Sequence, residues 1–230
     1  MVKDIIAPSE KKARKAASQS KNQISATKMK VKITFNDPIL GTWPTSEEAW
    51  EHMQSVEDQS LREQEMASVE GLEEEVGPGI TVFPRNEDGT PCLCDYQVRG
   101  FFKDACGMLQ RVKVTKSAEI KAYKKVIDGL VFVEPRLIQI EYPGKIDICT
   151  RPLRASTAKG ERIALASSES IAEGASVEFD ILTLDSKLAP VIKEWLSYGR
   201  LRGIGQWRNS GKGRFVYEIL SEEEFAIEGL

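Results

Sequence analysis

The chain has 230 residues, of which 41% are hydrophobic and 29% charged, with a formal net charge of −3. These values are ordinary for a globular protein of one domain with insertions, or of two small domains. No apolar stretch has membrane-spanning length, the first residues lack the apolar core of a secretory signal, and the four cysteines lack framework spacing. The composition therefore excludes membrane-spanning and disulfide-rich secreted classes, and we expect a cytoplasmic protein.

The net charge conceals three blocks of alternating sign. Residues 1–30 carry eight Lys and Arg against two acids, and residues 47–88 carry thirteen acids against two Arg. Residues 99–162 reverse again, with fourteen Lys and Arg against seven acids. A solvated surface explains any single block, but three alternating blocks favour charged partners.

Two hydrophobic periodicities predict the elements in chain order. Residues 1–28 are rich in Lys, Ser, Ala and Gln, which predicts a disordered basic tail. Alternating and helically spaced apolar residues then predict six core elements. These are strand 31–35, helix 96–109 with Asp95 as its cap, strand 130–133, strand 177–184, helix 187–198 and strand 214–220.

This order is β-α-β-β-α-β, which predicts an α+β protein with a ferredoxin-like, RRM-like core. The predicted domain covers 29–220, with insertions at 36–94 and 137–172, and an acidic C-terminal tail covers 221–230. The second insertion is basic and rich in small residues. It has room for one hairpin, with a strand over 162–166.

The loop between the last helix and the last strand is the most informative segment. Residues 199–215, GRLRGIGQWRNSGKGRF, contain five glycines and five Arg or Lys. Glycines permit positive φ and close backbone approach to a phosphate, cations supply charge, and Trp207 offers a ring for base stacking. The spacing fits neither a dinucleotide fingerprint nor a P-loop. The candidate nucleic-acid-binding residues here are Arg202, Gly203, Gly205, Trp207, Arg208, Gly211, Lys212, Gly213 and Arg214. The alternative is a flexible connection that its cations keep soluble.

A second candidate is the basic middle block. Arg151, Arg154 and Arg162 occupy a stretch that we expect to be irregular, and they are interpreted as an arm that contacts phosphates. Lysines over 113–125 precede the second core strand. A solvated helix face and a binding role explain these lysines equally well.

Two stretches resemble the RAMP superfamily of repeat-associated CRISPR proteins. Gly203–Gly213 resembles their C-terminal glycine-rich loop, and Pro84–Lys103 resembles the segment that leads into the first helix of backbone subunits. Within that segment Asp88, Gly89, Pro91, Arg99 and Gly100 match the pattern, whereas its Pro and Ser are replaced by Cys94 or Asp95 and by Gln97. The resemblance implies an RRM-like fold that binds RNA; some members cleave it and others only hold a guide.

The resemblance also draws attention to two catalytic candidates, both weak. His52 is the single histidine, but its acidic neighbours should repel an RNA phosphate. Asp37 follows the first strand, where cleaving members place a metal-associated acid, yet an Asp before Pro is more often a turn residue. Cys92 and Cys94 have no second ligand pair, so we expect neither a zinc site nor a cofactor.

Three functions remain open from the sequence. The favoured one is a non-enzymatic protein that holds single-stranded RNA or DNA on an RRM-like sheet with a basic face, in a complex with copies of itself or other subunits. A metal-independent endoribonuclease is the second. The third is a phage-encoded inhibitor whose acidic insertion mimics nucleic acid. Head-to-tail contact between the acidic and basic blocks would give self-association.

Overall fold

A computed structural model describes residues 24–45, 80–157 and 160–227 of the chain, with side chains described except at 24, 153–164 and 227. The rest, which includes the N-terminal tail up to residue 23 and His52, lies outside the described residues. In chain order the strands are β1 (Ile24–Phe35), β2 (Ile39–Leu40), β3 (Trp43–Pro44), β4 (Ile80–Val82), β5 (Cys92–Cys94), β6 (Val131–Glu134), β7 (Leu137–Glu141), β8 (Asp147–Thr157), β9 (Gly160–Ile171), β10 (Ser176–Thr183) and β11 (Phe215–Ile227). The α-helices are α1 (Asp95–Leu109), α2 (Tyr123–Leu130) and α3 (Ala189–Arg202).

The main sheet contains six strands in the order β11–β1–β10–β7–β5, and β6 also pairs with β10. Every pairing in this sheet is antiparallel. All six predicted core elements are present, and the predicted α+β class is confirmed. The β11 strand lies at one edge of the sheet.

One face of the main sheet packs against the helices. Alternation along β1 buries Met29, Val31, Ile33 and Phe35 in a core shared with α1 and α3. The largest fully buried side chain, Trp195 of α3, satisfies its indole N–H with the Ser117 hydroxyl at 3.0 Å.

Aromatic packing fixes the start of β11 against the helices. Phe101 of α1 lies edge-on to Phe215, with ring centroids 5.2 Å apart. The Phe215 ring occupies the space in which a Cβ at Gly199 of α3 would lie. The expectation that Phe101 and Phe102 belong to the core is confirmed by their burial.

A smaller second sheet forms from residues that the sequence assigned to the two insertions. β9 is its central strand, with β8 antiparallel on one side and β2 antiparallel and β4 parallel on the other. β3 extends the sheet beyond β4. The stretch expected to be irregular is therefore a long hairpin over 147–171, because backbone pairing between its two polar strands compensates for their weak hydrophobic pattern.

The structure also corrects three predicted boundaries. β1 begins at Ile24 and pairs with β11 as far as Ile227, so the boundaries at 29 and 220 divide paired strands. β7, placed in the second insertion, pairs with β10 of the main sheet. The N-cap of α1 is Cys94 rather than Asp95, and the Gln97 side chain accepts its backbone N–H at 2.8 Å.

Candidate nucleic-acid interface

The glycine-rich loop joins α3 to β11 along a backbone path that favours glycine at four positions. φ lies between 68° and 85° at Gly203, Gly205, Gly211 and Gly213. Trp207 has a φ of 57°, in the left-handed region that side-chain-bearing residues seldom adopt. The direction of the indole is thus set by an uncommon backbone conformation.

Two of these glycines allow the loop to close on itself. The Ile204 N–H donates to the Gly213 carbonyl at 3.0 Å, and the Gly213 N–H donates to the Pro38 carbonyl at 2.9 Å. A Cβ at Gly213 would overlap the Ile204 carbonyl oxygen, and a Cβ at Gly203 would lie 2.6 Å from the Lys212 carbonyl oxygen. Gly203 and Gly213 are therefore needed for loop folding, a role beyond the phosphate approach that the sequence suggested.

Two carboxylates hold three arginines at this loop. Arg202 Nε and Arg208 Nη1 both donate to Oδ2 of Asp104 on α1, at 2.7 and 3.1 Å. Arg214 donates to both carboxylate oxygens of Asp37, at 2.7 and 3.1 Å. A guanidinium has five N–H donors, so these pairs orient the arginines and leave other donors for a ligand. Asp37 serves here as the partner of Arg214.

The base of the β8–β9 hairpin meets the glycine-rich loop at the Arg151 cluster, formed by Arg151, Ser168, Gln206 and Trp207. The Arg151 guanidinium lies over the indole of Trp207, 4.8 Å from the ring centroid. Its Nη2 donates to Gln206 Oε1 at 3.1 Å, and its Nη1 lies 3.4 Å from the Ser168 hydroxyl. The cluster therefore joins two segments that the sequence singled out separately.

Burial changes the role that Arg151 can have. The residue is only 2% exposed, so its guanidinium faces the indole and Gln206 rather than solvent. Ser168 is likewise buried and lies 2.7 Å from the Thr81 hydroxyl of β4. The predicted direct phosphate clamp at Arg151 is corrected to a support that positions Trp207.

The remaining predicted site residues are distributed over the same region. Arg154 lies on β8 and Arg162 on β9, and their side chains belong to the undescribed part. Lys212 is half-buried in the loop, and among the described residues it forms no ion pair. His52 lies outside the described residues.

The open face of the main sheet is not the basic surface that the sequence suggested. Lys28 and Lys30 of β1 pair with Asp180 and Glu178 of β10, at 2.9 and 3.5 Å. Lys32 pairs with the same Glu178 at 3.1 Å. Because these lysines are matched by carboxylates on the next strand, this part of the sheet offers little net attraction to a polyanion.

Three of the four cysteines are buried side chains. Burial raises the pKa of Cys94 and of Cys106 to about 11, and it raises the pKa of Cys92 as well. Over the described ranges, no group of three His, Cys, Asp or Glu side chains is placed to hold a metal ion. No helix in those ranges is long and apolar enough to cross a membrane.

Sequence reasoning missed three side chains that organise this region. Asp104 is a polar helix residue with no local signature, and its importance arises only when α3 and the loop pack against α1. Ser168 lies in the hairpin stretch that was expected to be irregular. Gln206 lies beside Trp207 in a segment already selected, so its position was the available signal.

No protein-family model matches the sequence, and the comparison with curated proteins found no match. Among solved structures, the chain is similar to one from the cryo-EM structure of the Type III-B Cmr-beta bound to cognate target RNA. The TM-score is 0.48 at 12% sequence identity, and the alignment covers 96% of this chain and 68% of that chain.

Proposed function

We propose that this chain binds a single strand of nucleic acid at the glycine-rich loop. In this proposal Arg208, Lys212 and Arg214 contact phosphates, and a base stacks on Trp207. The observation that carries it is the contact between Arg151 and Trp207. It supports a fixed aromatic ring among cations, which is the combination that single-strand binding uses.

The surroundings of Trp207 favour a ligand-binding role over a core role. The residue is only partly buried and does not belong to the hydrophobic core cluster of the described residues. Its backbone is strained, and Arg151 lies over its ring. Strained, oriented side chains occur at ligand sites more than elsewhere. A base stacked on such a ring is worth about 1–3 kcal/mol.

The charges at the loop favour phosphate as the group that is bound. Arg202, Arg208, Lys212 and Arg214 supply four positive charges, and two carboxylates balance half of this charge. The surplus would displace counterions from the strand, so affinity should fall with salt by about 0.7 logarithmic units per phosphate contact. Contacts of this kind carry little base specificity.

The fold supports the same class of function. The order β11–β1–β10–β6, with α1 and α3 as crossovers, is consistent with the split β-α-β arrangement of ferredoxin-like proteins. Under this proposal the second sheet is a decoration that carries the Arg151 hairpin. RNA is favoured over DNA through the sequence resemblance to the RAMP superfamily alone.

The test is a binding titration with fluorescently labelled single strands of RNA and of DNA, followed by anisotropy across a range of salt. The Arg208→Ala/Lys212→Ala double variant should lose affinity and flatten the salt slope by about 1.4. The Lys145→Ala/Lys187→Ala double variant makes the same change in net charge elsewhere and serves as the control. Equal behaviour of the two doubles would contradict the proposal.

Trp207 requires separate variants. Trp207→Ala should weaken binding by about 1–3 kcal/mol with an unchanged melting temperature, and Trp207→Phe should retain part of the affinity. A lower melting temperature with unchanged affinity would assign the indole to packing instead. Recovery of the labelled strand on a denaturing gel, with and without metal, reports whether the strand stays intact.

A further inference from the structure

Most uncompensated positive charge near the candidate interface lies outside the glycine-rich loop. The connection from α1 to α2, residues 110–126, carries six cations and a single acid, Glu119. The cations form the connection patch: Arg111, Lys113, Lys116, Lys121, Lys124 and Lys125. All six side chains are exposed. Within the described part of the chain none of them forms an ion pair, in contrast to the loop arginines.

Local stability does not explain this concentration of charge. Arg111 follows the C-terminal end of α1, where a cation is favourable. Lys121, Lys124 and Lys125 instead surround the first turn of α2, the end of a helix at which cations are unfavourable. That helix also begins without a side-chain cap and with Ala122 at a φ of 50°. The lysines therefore destabilise the segment that carries them.

Exposed apolar side chains accompany the cations. Val114 is 93% exposed and Val112 is 47% exposed, on either side of Lys113. Single exposed valines are common on protein surfaces. Here, however, they alternate with cations along the chain, a pattern that suits a ligand with alternating charged and apolar parts.

The connection patch is continuous with the candidate interface through α1. Asp104, which holds Arg202 and Arg208, lies five residues before the end of this helix, a distance of about 8 Å along its axis. Met108, one turn after Asp104 on the same helix face, is 39% exposed and bridges the two regions. A strand bound at the loop would reach the patch within a few nucleotides.

We infer that the connection patch is a second phosphate-binding segment, along which a single-stranded nucleic acid continues from the glycine-rich loop. This inference rests on the proposed function and extends it. The strand is favoured over an acidic polypeptide because the patch and loop share one helix, and because exposed cations recur over its whole length. The loop then orients the strand, and the patch supplies much of the counterion release.

The test compares two double variants with equal loss of charge, Lys121→Gln/Lys125→Gln in the patch and Lys145→Gln/Lys187→Gln outside it. Two lost phosphate contacts flatten the salt slope by about 1.4, which corresponds to up to about 25-fold weaker binding at 0.1 M salt. The outside double should keep the wild-type slope. The melting temperature of the patch double should stay equal or rise, because the change removes unfavourable cations from α2.

Strand length separates this inference from the proposed function. An oligonucleotide of about four nucleotides should bind the loop and be insensitive to the patch double, whereas one of about sixteen should be sensitive. If the patch double binds the long strand like wild type while Arg208→Ala/Lys212→Ala loses binding, the inference is wrong and the proposed function stands. If wild type binds neither strand, both fail. If the patch double changes only self-association in sedimentation, the occupant is an acidic segment of another copy and the inference is overturned.

Discussion

A single methyl group at residue 213 should disrupt the glycine-rich loop more than the same change in an open turn. Gly213 has a φ of 68°, and an added Cβ would overlap the backbone carbonyl of Ile204. Gly89 has a similar φ of 78°, but nothing lies within 4 Å of an added Cβ there. Gly89→Ala should therefore report conformational strain alone, about 1–2 kcal/mol.

Gly213→Ala should carry this strain and an overlap in addition. Forcing a group into a packed site costs about 1–3 kcal/mol, so the total should reach about 2–5 kcal/mol. For a chain of this size the difference between the variants corresponds to a melting temperature lower by about 2–12 °C. Urea denaturation followed by circular dichroism measures both variants, and equal loss of stability would refute the assignment of Gly213 to loop closure.

Three further outcomes follow from described contacts. Asp104→Asn should lower stability by about 1 kcal/mol or less, yet tighten strand binding about threefold at low salt, since removing a charge about 6 Å from a phosphate is worth about 0.7 kcal/mol in water; weaker binding in the anisotropy titration would contradict this. At pH 8 the folded-state thiolate fractions of Cys94 and Cys106 should be about 100-fold lower than at the ordinary pKa of 9.0, so half-buried Cys149 should be alkylated first, as mass spectrometry can show. Gln97→Ala should cost about 1 kcal/mol in urea denaturation through the lost cap of α1, and no loss would remove that role.

Local periodicity was sufficient to predict the main elements of the core. Alternation at 31–35 and 177–181 and helical spacing near 98–105 and 191–196 report burial directly, because each strand or helix has one face in the core. The same signal fails at residues 24–30 and 221–227. There the paired strands carry small, polar or acidic side chains, and a bulge at Leu220 shifts the register.

The candidate site was only partly predictable. Trp207 and its neighbouring glycines and cations were found because loop chemistry is visible in composition. The ion pairs of Asp104 and the burial of Arg151 were not visible, because they join residues about 50 to 100 positions apart in the chain. Sequence therefore identified which residues could bind a phosphate, but not which of them were already engaged within the molecule.

The position of β11 at the edge of the main sheet has a consequence for how the molecule avoids its own copies. An edge strand of thirteen residues exposes backbone groups that could template pairing with a second chain. This strand carries Glu218, Glu222, Glu223 and Glu224. Two such edges brought together would confront rows of like charge, and this repulsion protects a long edge from aggregation without shortening the strand.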